Sequence, residues 1–275
     1  MTHTVDSSPL GQKTTYASAY DAKLLYPISR SESRKVLGIG DVLPFYGYDV
    51  WTGYELSWLN LKGKPQVAVA EFLVPCHSPC IIESKSFKLY LNSLNQTRFS
   101  HVNEVRDVLV KDLSAAAGAP VEVRIDSLHT SNLLIDFTHK AICVDDLDID
   151  VDTYQPQAGL LSTDQTRQVS EILCSHLLKS NCPVTGQPDW ASVIIEYTGA
   201  QIHHEGFLRY VISFREHQDF HEHCVERMFT DILRECAPDS LSVYARYTRR
   251  GGLDINPFRS SAQGAMPAIG RLLRQ

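Results

Sequence analysis

Cys182 and Asp189 bracket the loop in Ser180-Asn-Cys-Pro-Val-Thr-Gly-Gln-Pro-Asp-Trp190, which Pro183 and Pro188 stiffen. The cysteine ends one expected strand and the aspartate opens the next, so both functional groups belong to one rim. A thiol in a turn is exposed enough to react as its thiolate. An aspartate placed across the hairpin acts as proton donor where desolvation raises its pKa. The same pattern also fits an inert loop cysteine beside a turn-forming aspartate.

Other candidates sit at helix starts. In His217-Gln-Asp-Phe-His-Glu-His223, Asp219 and Glu222 have the spacing of a capping box. Alternatively, His221 and Glu222 stand at the mouth of the fold, where a carboxylate accepts two N–H donors from the edge of a guanine-type base. In Glu83-Ser-Lys-Ser-Phe-Lys-Leu-Tyr90, Lys85 and Lys88 share a helical face. With free helical N–H groups they suit a phosphate, or they are simply a solvated charged face. Arg249-Arg250-Gly251-Gly252 offers a second phosphate clamp, whereas His203-His204-Glu205 reads as solvated polarity at a helix start.

Two ββααββ runs must position these groups. Tyr54 to Leu61 and Gln66 to Val74 form a hairpin, Glu83 to Asn95 and His101 to Ala117 form helices, Val121 to Ile125 is a strand, and a further one lies near Ala141 to Val144. Gly118 terminates the second helix. In the second half Ser170 to Ser180 and Asp189 to Thr198 are strands, and Glu205 to Arg215 and Phe220 to Glu235 are helices. Leu241 to Arg249 is a strand leading to a shorter one near Asp254. A shift of 120 residues lays His101, Val105 and Leu113 onto His221, Val225 and Leu233, as a duplicated module requires. The fold class is α+β, with residues 1–50 an arm, 51–150 the first module, 151–168 a linker and 169–275 the second module.

Several classes are excluded. The net charge of −6 disfavours nucleic-acid backbones, so small molecules are the expected partners. The run from Val67 to Val74 is broken by Glu71 and falls far short of the roughly 20 residues of a membrane span. No secretory leader is expected, which places the chain in the cytoplasm. The seven cysteines are an odd set in a reducing compartment, so most are expected as buried thiols. Cys76 and Cys80 lack a second pair at zinc-ribbon spacing, and His-Glu-x-x-His is absent; no metal ligands are assigned. Gly-x-Gly-x-x-Gly after a strand, the P-loop and Gly-x-Ser-x-Gly are also missing.

Taken together, Glu83-Ser-Lys-Ser-Phe-Lys-Leu-Tyr90, Cys182-Pro-Val-Thr-Gly-Gln-Pro-Asp189, Phe220-His-Glu222 and Arg246-Tyr-Thr-Arg-Arg-Gly-Gly-Leu-Asp-Ile-Asn256 closely resemble the long, two-module NADPH-dependent 7-cyano-7-deazaguanine reductases. The resemblance implies tandem tunnelling-fold modules, each ββααββ with an antiparallel sheet, in a homo-oligomer, expected as a homodimer. It implies Cys182 as nucleophile and Asp189 as acid, with Ile82, Glu83, Ser84, His221 and Glu222 contacting 7-cyano-7-deazaguanine. Ser84, Lys85, Arg250 and Gly251 would contact NADPH. The implied reaction is a four-electron nitrile reduction through a cysteine thioimide, in the pathway to tRNA queuosine, without a metal. The two modules divide the signatures, so one site would need both halves. An alternative of another class is a zinc-dependent purine or pterin hydrolase related to GTP cyclohydrolase I. A third is a non-catalytic purine-binding module.

Overall fold

The computed structural model describes residues 19–126, 128, 140–268 and 270–275. Two compact units share them: the first takes the described residues among 1–35, 49–132 and 249–255, and the second those among 36–48, 133–248 and 256–275. No helix among the described residues is long and apolar enough to cross a membrane.

In the first unit a 3-10 turn at Ala22–Leu24 leads to β1 (Pro27–Ser29), and α1 (Ser31–Val36) runs on to the unit's edge in sequence. Strands β2 (Tyr46–Leu59) and β3 (Pro65–Pro75) form a hairpin, followed by β4 (Cys80–Ile82), α2 (Ser84–Ser93), α3 (Val102–Ala117) and β5 (Glu122–Asp126). β5 pairs antiparallel with β3, and β1 with β4. Apolar residues of β2, β3, α2 and α3 meet in one core. Phe87 of α2 is fully buried, with its ring centroid 5.1 Å from that of Trp51 and 5.0 Å from that of Phe72. Its burial contributes about 1.5–3 kcal/mol. The ends of α3 are set locally: His101 Nδ1 accepts from the Glu104 N–H, and Gly118 closes the helix at φ 75°. A Cβ there would stand 2.6 Å from Pro79, so glycine is required twice over.

The second unit contains β6 (Ala141–Cys143), β7 (Thr163–Ser175), β8 (Lys179–Asn181), β9 (Pro188–Ile202), α4 (His204–Ser213), α5 (His221–Cys236), β10 (Ser240–Tyr247) and β11 (Leu253–Ser260). Residues 253–255 of β11 count with the first unit, and 46–48 of β2 with the second. β9 pairs antiparallel with β7, β8 and β10, and β10 with β11. Each unit ties its two principal helices through a buried tyrosine: Tyr90 donates to Asp112 at 2.7 Å and Tyr210 to Asp231 at 2.8 Å. Ser93 and Ser213 each donate to the carbonyl three residues back, at 2.6 Å in both cases.

The structure corrects several sequence expectations. The strand near Ala141 pairs parallel with β7 in the second unit, where an antiparallel place in the first module was expected. The arm holds regular elements from Ala22, β2 begins at Tyr46, and the expected linker already contains the start of β7 at Thr163. The expected strand Ser170 to Ser180 is broken because the Asp145 carboxylate accepts from Ser175 Oγ and the His176 N–H, which ends β7. The last strand is eight residues long, as long as β10. The second helices correspond at 119 residues: His101 matches Phe220 as N-cap, and Val105, Leu109 and Leu113 match the buried Cys224, Met228 and Ile232. Leu233, which a shift of 120 would bury, is absent from that face.

Candidate active site

The expected site residues fall into two groups, one in each unit. In the second unit β8 and β9 form a hairpin in which Ser180 stands opposite Asp189. The Cys182 N–H donates to Gln187 O at 2.9 Å, and the Gly186 N–H to Cys182 O at 3.0 Å, which closes the loop. Residues two apart on a strand share a face, so Cys182, Ser180 and Asp189 lie on one side of the hairpin. Asp189 is 8% exposed and Cys182 4%. Burial pushes the Cys174, Cys224 and Cys236 thiols up, to about 12 for Cys174 and Cys236, and Cys80 is raised by the same cause. Those four are poor sources of thiolate at neutral pH.

A short parallel bridge brings the start of α5 to this loop. The Asn181 N–H donates to His217 O at 2.8 Å, and the Asp219 N–H donates to Asn181 O at 3.1 Å. His221 consequently places Nε2 3.4 Å from Asp189 Oδ2. Its ring stacks on Tyr247 with centroids 3.6 Å apart and planes 4° from parallel. Its Nδ1 is buried without a hydrogen-bond partner among the described residues. Leaving such a group unpaired costs about 1–3 kcal/mol, which a ligand's polar atom would recover.

The expected capping box does not form. Phe220 is the N-cap and makes no side-chain cap bond. Asp219 Oδ1 instead accepts from the adjacent Phe220 N–H, while the carboxylate faces His223 at 3.0 Å and His217 at 3.6 Å. Burial alone would push the Asp219 carboxyl up. The facing His217 and His223 imidazoles, the His223 charge and the Phe220 N–H outweigh it and hold the carboxyl well below the usual range. Glu222 is therefore a 2% exposed carboxylate in the first turn of α5 that does not complete a box, and the helix dipole favours its charge there.

In the first unit Glu83 caps α2 with both oxygens, accepting from the Lys85 N–H at 2.8 Å and the Ser86 N–H at 2.7 Å. Two of the helical N–H groups expected to be free for a phosphate are therefore engaged by Glu83. Burial pushes the Glu83 carboxyl up, with the two N–H bonds and then Lys88 and Lys85 opposing the shift. Ile82 is buried in β4 opposite Pro27, and Ser84 begins the helix half-buried. The two basic clusters do meet. The turn closed by the Arg250 N–H to Leu253 O bond (2.9 Å) carries Gly251 at φ 60°, and a Cβ there would lie 3.1 Å from Lys88 Nζ. The Arg249 guanidinium lies 4.8 Å above the Tyr54 ring. A glycine backbone beside an ammonium and two arginines fits the phosphates of a dinucleotide.

Sequence reasoning missed Tyr247 and Asn181. Tyr247 sits within the Arg246-Tyr-Thr-Arg signature, so it was visible as a residue but not as a stacking partner for His221. His203 and His204 lie at the start of α4 as expected for a polar helix start; His203 makes no side-chain cap bond, and His204 meets Glu171 at 3.2 Å.

Comparison with known proteins bears on this arrangement. The family model described as nitrile reductase, 7-cyano-7-deazaguanine-reductase N-terminal, matches residues 16–125, and the model described as QueF-like protein matches residues 188–265. A curated NADPH-dependent 7-cyano-7-deazaguanine reductase of Burkholderia multivorans is 58% identical over 271 residues, covering 98% of this chain and 99% of the relative. Proteins of the same name from Burkholderia vietnamiensis and Bordetella avium are 57% and 55% identical, again over 98% of this chain and 99% of each relative. The hydrolase and the non-catalytic binding module give way before this agreement. The chain belongs to the family of NADPH-dependent 7-cyano-7-deazaguanine reductases.

Proposed function

We propose that this chain reduces the nitrile of 7-cyano-7-deazaguanine to the aminomethyl group of 7-aminomethyl-7-deazaguanine, a precursor of tRNA queuosine, with NADPH as reductant and Cys182 as covalent nucleophile. The observation that carries the reading is the grouping of Cys182, Asp189 and His221 around one hairpin, with Glu222 beside His221, in a member of this family.

Cys182 sulfur adds to the nitrile carbon, and Asp189 gives a proton to the nitrile nitrogen, leaving a thioimide C=N bond. NADPH, when bound, supplies hydride. Addition of one hydride to the thioimide carbon lets the C–S bond break, so that the thiolate returns to Cys182 and an imine is left. A second hydride and proton complete the amine, so two hydrides and two protons account for the four electrons. Covalent capture keeps the carbon oriented through the first reduction. His221, stacked on Tyr247, holds Asp189 and orients the proton path. Glu222 accepts two N–H donors of the deazaguanine ring, with Ile82, Glu83 and Ser84 as further substrate contacts. Lys85, Arg250 and Gly251, with Ser84, hold NADPH, which the approach of Lys88 to Gly251 supports.

The paired Tyr90–Asp112 and Tyr210–Asp231 bonds support reading the units as copies of one tunnelling-fold ββααββ module. The reading includes a homodimer in the cytoplasm, on the resemblance alone, and sedimentation velocity tests the oligomer. The central experiment follows NADPH absorbance on addition of the nitrile. Two NADPH consumed per amine formed is the expected result; no consumption, or consumption without amine, overturns the function.

A further inference from the structure

A second cluster of reactive side chains lies in the second unit, and it includes none of Cys182, Asp189, His221 or Glu222. The parallel pairing of β6 with β7 sets Cys143 directly beside Cys174, with the two sulfurs within 4.8 Å of each other. His176 follows just past the end of β7. One ligand atom from each of Cys143, Cys174 and His176 lies within 4.8 Å of the others. In a tetrahedral zinc site with Zn–S about 2.3 Å and Zn–N about 2.0–2.1 Å, ligand atoms stand roughly 3.5–3.8 Å apart. Small rotamer changes bring the three into that range.

We propose that Cys143, Cys174 and His176 form a binding site for a thiophilic divalent ion, Zn²⁺ by preference, that fastens β6 to β7. Two thiolates with an imidazole are a soft to borderline donor set, which selects zinc over calcium, magnesium or manganese. The surroundings orient the ligands. Ser192 Oγ lies 2.7 Å from His176 Nδ1, holding the ring and leaving Nε2 to ligate. The backbone on either side is pinned, with the His176 N–H donating to Asp145 at 2.9 Å and Arg274 donating to His176 O at 2.7 Å. Cys143 is exposed while Cys174 is buried, so the ion enters from the Cys143 side and solvent completes the fourth position. Binding expels both thiol protons, so affinity rises with pH. No oxidant or reductant is involved.

The full-length protein, stripped of metal and kept reduced, is titrated with Zn²⁺ against a chromophoric chelator, and with Co²⁺ to read thiolate-to-cobalt charge transfer. One equivalent per chain, with the charge-transfer band, is expected in the wild type and in Cys182→Ala, so the outcome does not depend on the reductase chemistry. Cys143→Ser, a change at an exposed position, should abolish the band and the zinc-dependent rise in melting temperature. Ser192→Ala should weaken zinc roughly tenfold. A wild type without the band, or equal affinity in Cys143→Ser or His176→Ala, overturns the proposal.

Discussion

Two helix starts in this chain each carry a buried glutamate, and they use it differently. At α2 the Glu83 carboxylate turns back on its own helix and takes the Lys85 and Ser86 N–H groups. At α5 the cap is Phe220, without a side-chain bond, and Glu222 lies two residues further in, beside a histidine stacked on Tyr247 and facing Asp189. Both carboxylates are almost wholly buried. Burial of a charge at a helix start therefore does not reveal its role; the destination of its oxygens does. A carboxylate engaged by its own backbone serves local stability first, whereas the proposed function gives Glu222 to the substrate.

The largest test strikes the group around the second start. Cys182→Ala should abolish nitrile reduction, and intact mass after mixing with nitrile and no NADPH should rise by one ligand in wild type and stay unchanged in the variant. An adduct persisting in Cys182→Ala would show that the nucleophile lies elsewhere. Asp189→Asn should lower kcat by about 10²–10⁴-fold while adduct formation remains detectable.

The glutamates themselves give the next contrast. Glu222→Gln should weaken substrate binding by about 2–3 kcal/mol, roughly thirty- to a hundredfold, with the melting temperature nearly unmoved. Titration calorimetry in a Cys182→Ala background measures it free of adduct formation. Glu83→Gln should cost about 1 kcal/mol of stability, about 2–4 °C in Tm, since a single amide oxygen replaces a double acceptor. If Glu222→Gln lowers Tm and spares affinity, the two starts are alike and the contrast fails.

Smaller still is the expected effect on the basic cluster. Lys85→Ala or Arg250→Ala should raise the NADPH KM about tenfold by removing a charge-assisted contact, with nitrile affinity unchanged. A fall in nitrile affinity alone would reassign these residues to the substrate.

The weakest expected effect, and the one with opposite signs at the two starts, is pH dependence. The Glu83 carboxyl is raised by burial, so its contribution is fully present below the ordinary glutamate range and declines as pH rises through the folded value. The Asp219 carboxyl is depressed, so its contribution is present above the ordinary aspartate range and is lost as pH falls toward the folded value. Melting curves across the acid range should show the wild-type advantage over Glu83→Gln shrinking as pH rises, and that over Asp219→Asn growing. Parallel trends for both variants would contradict the assigned hydrogen bonds.

What the sequence by itself determined was local. The hairpin of β2 and β3, the full length of α3 from His101 to Gly118, and the loop between Cys182 and Asp189 depend on residues a few positions apart, whose caps, prolines and periodicity act within a single turn. The family was legible for the same reason, because its signatures are short and contiguous. Tertiary structure alone decided the rest. An alternating pattern says which residues of a strand share a face but not which strand lies beside it, so nothing in Ala141–Cys143 announced a parallel partner in β7. The convergence of Cys143, Cys174 and His176 was invisible on that account. The spacing of Asp219 and Glu222 satisfied a local rule that His217 and His223 overrode by holding the aspartate. Glu83 and Glu222 are the same residue type in similar local settings. Their roles separate only when distant segments, Asn181 at one start and Tyr26 at the other, fix the backbone from which each carboxylate must reach.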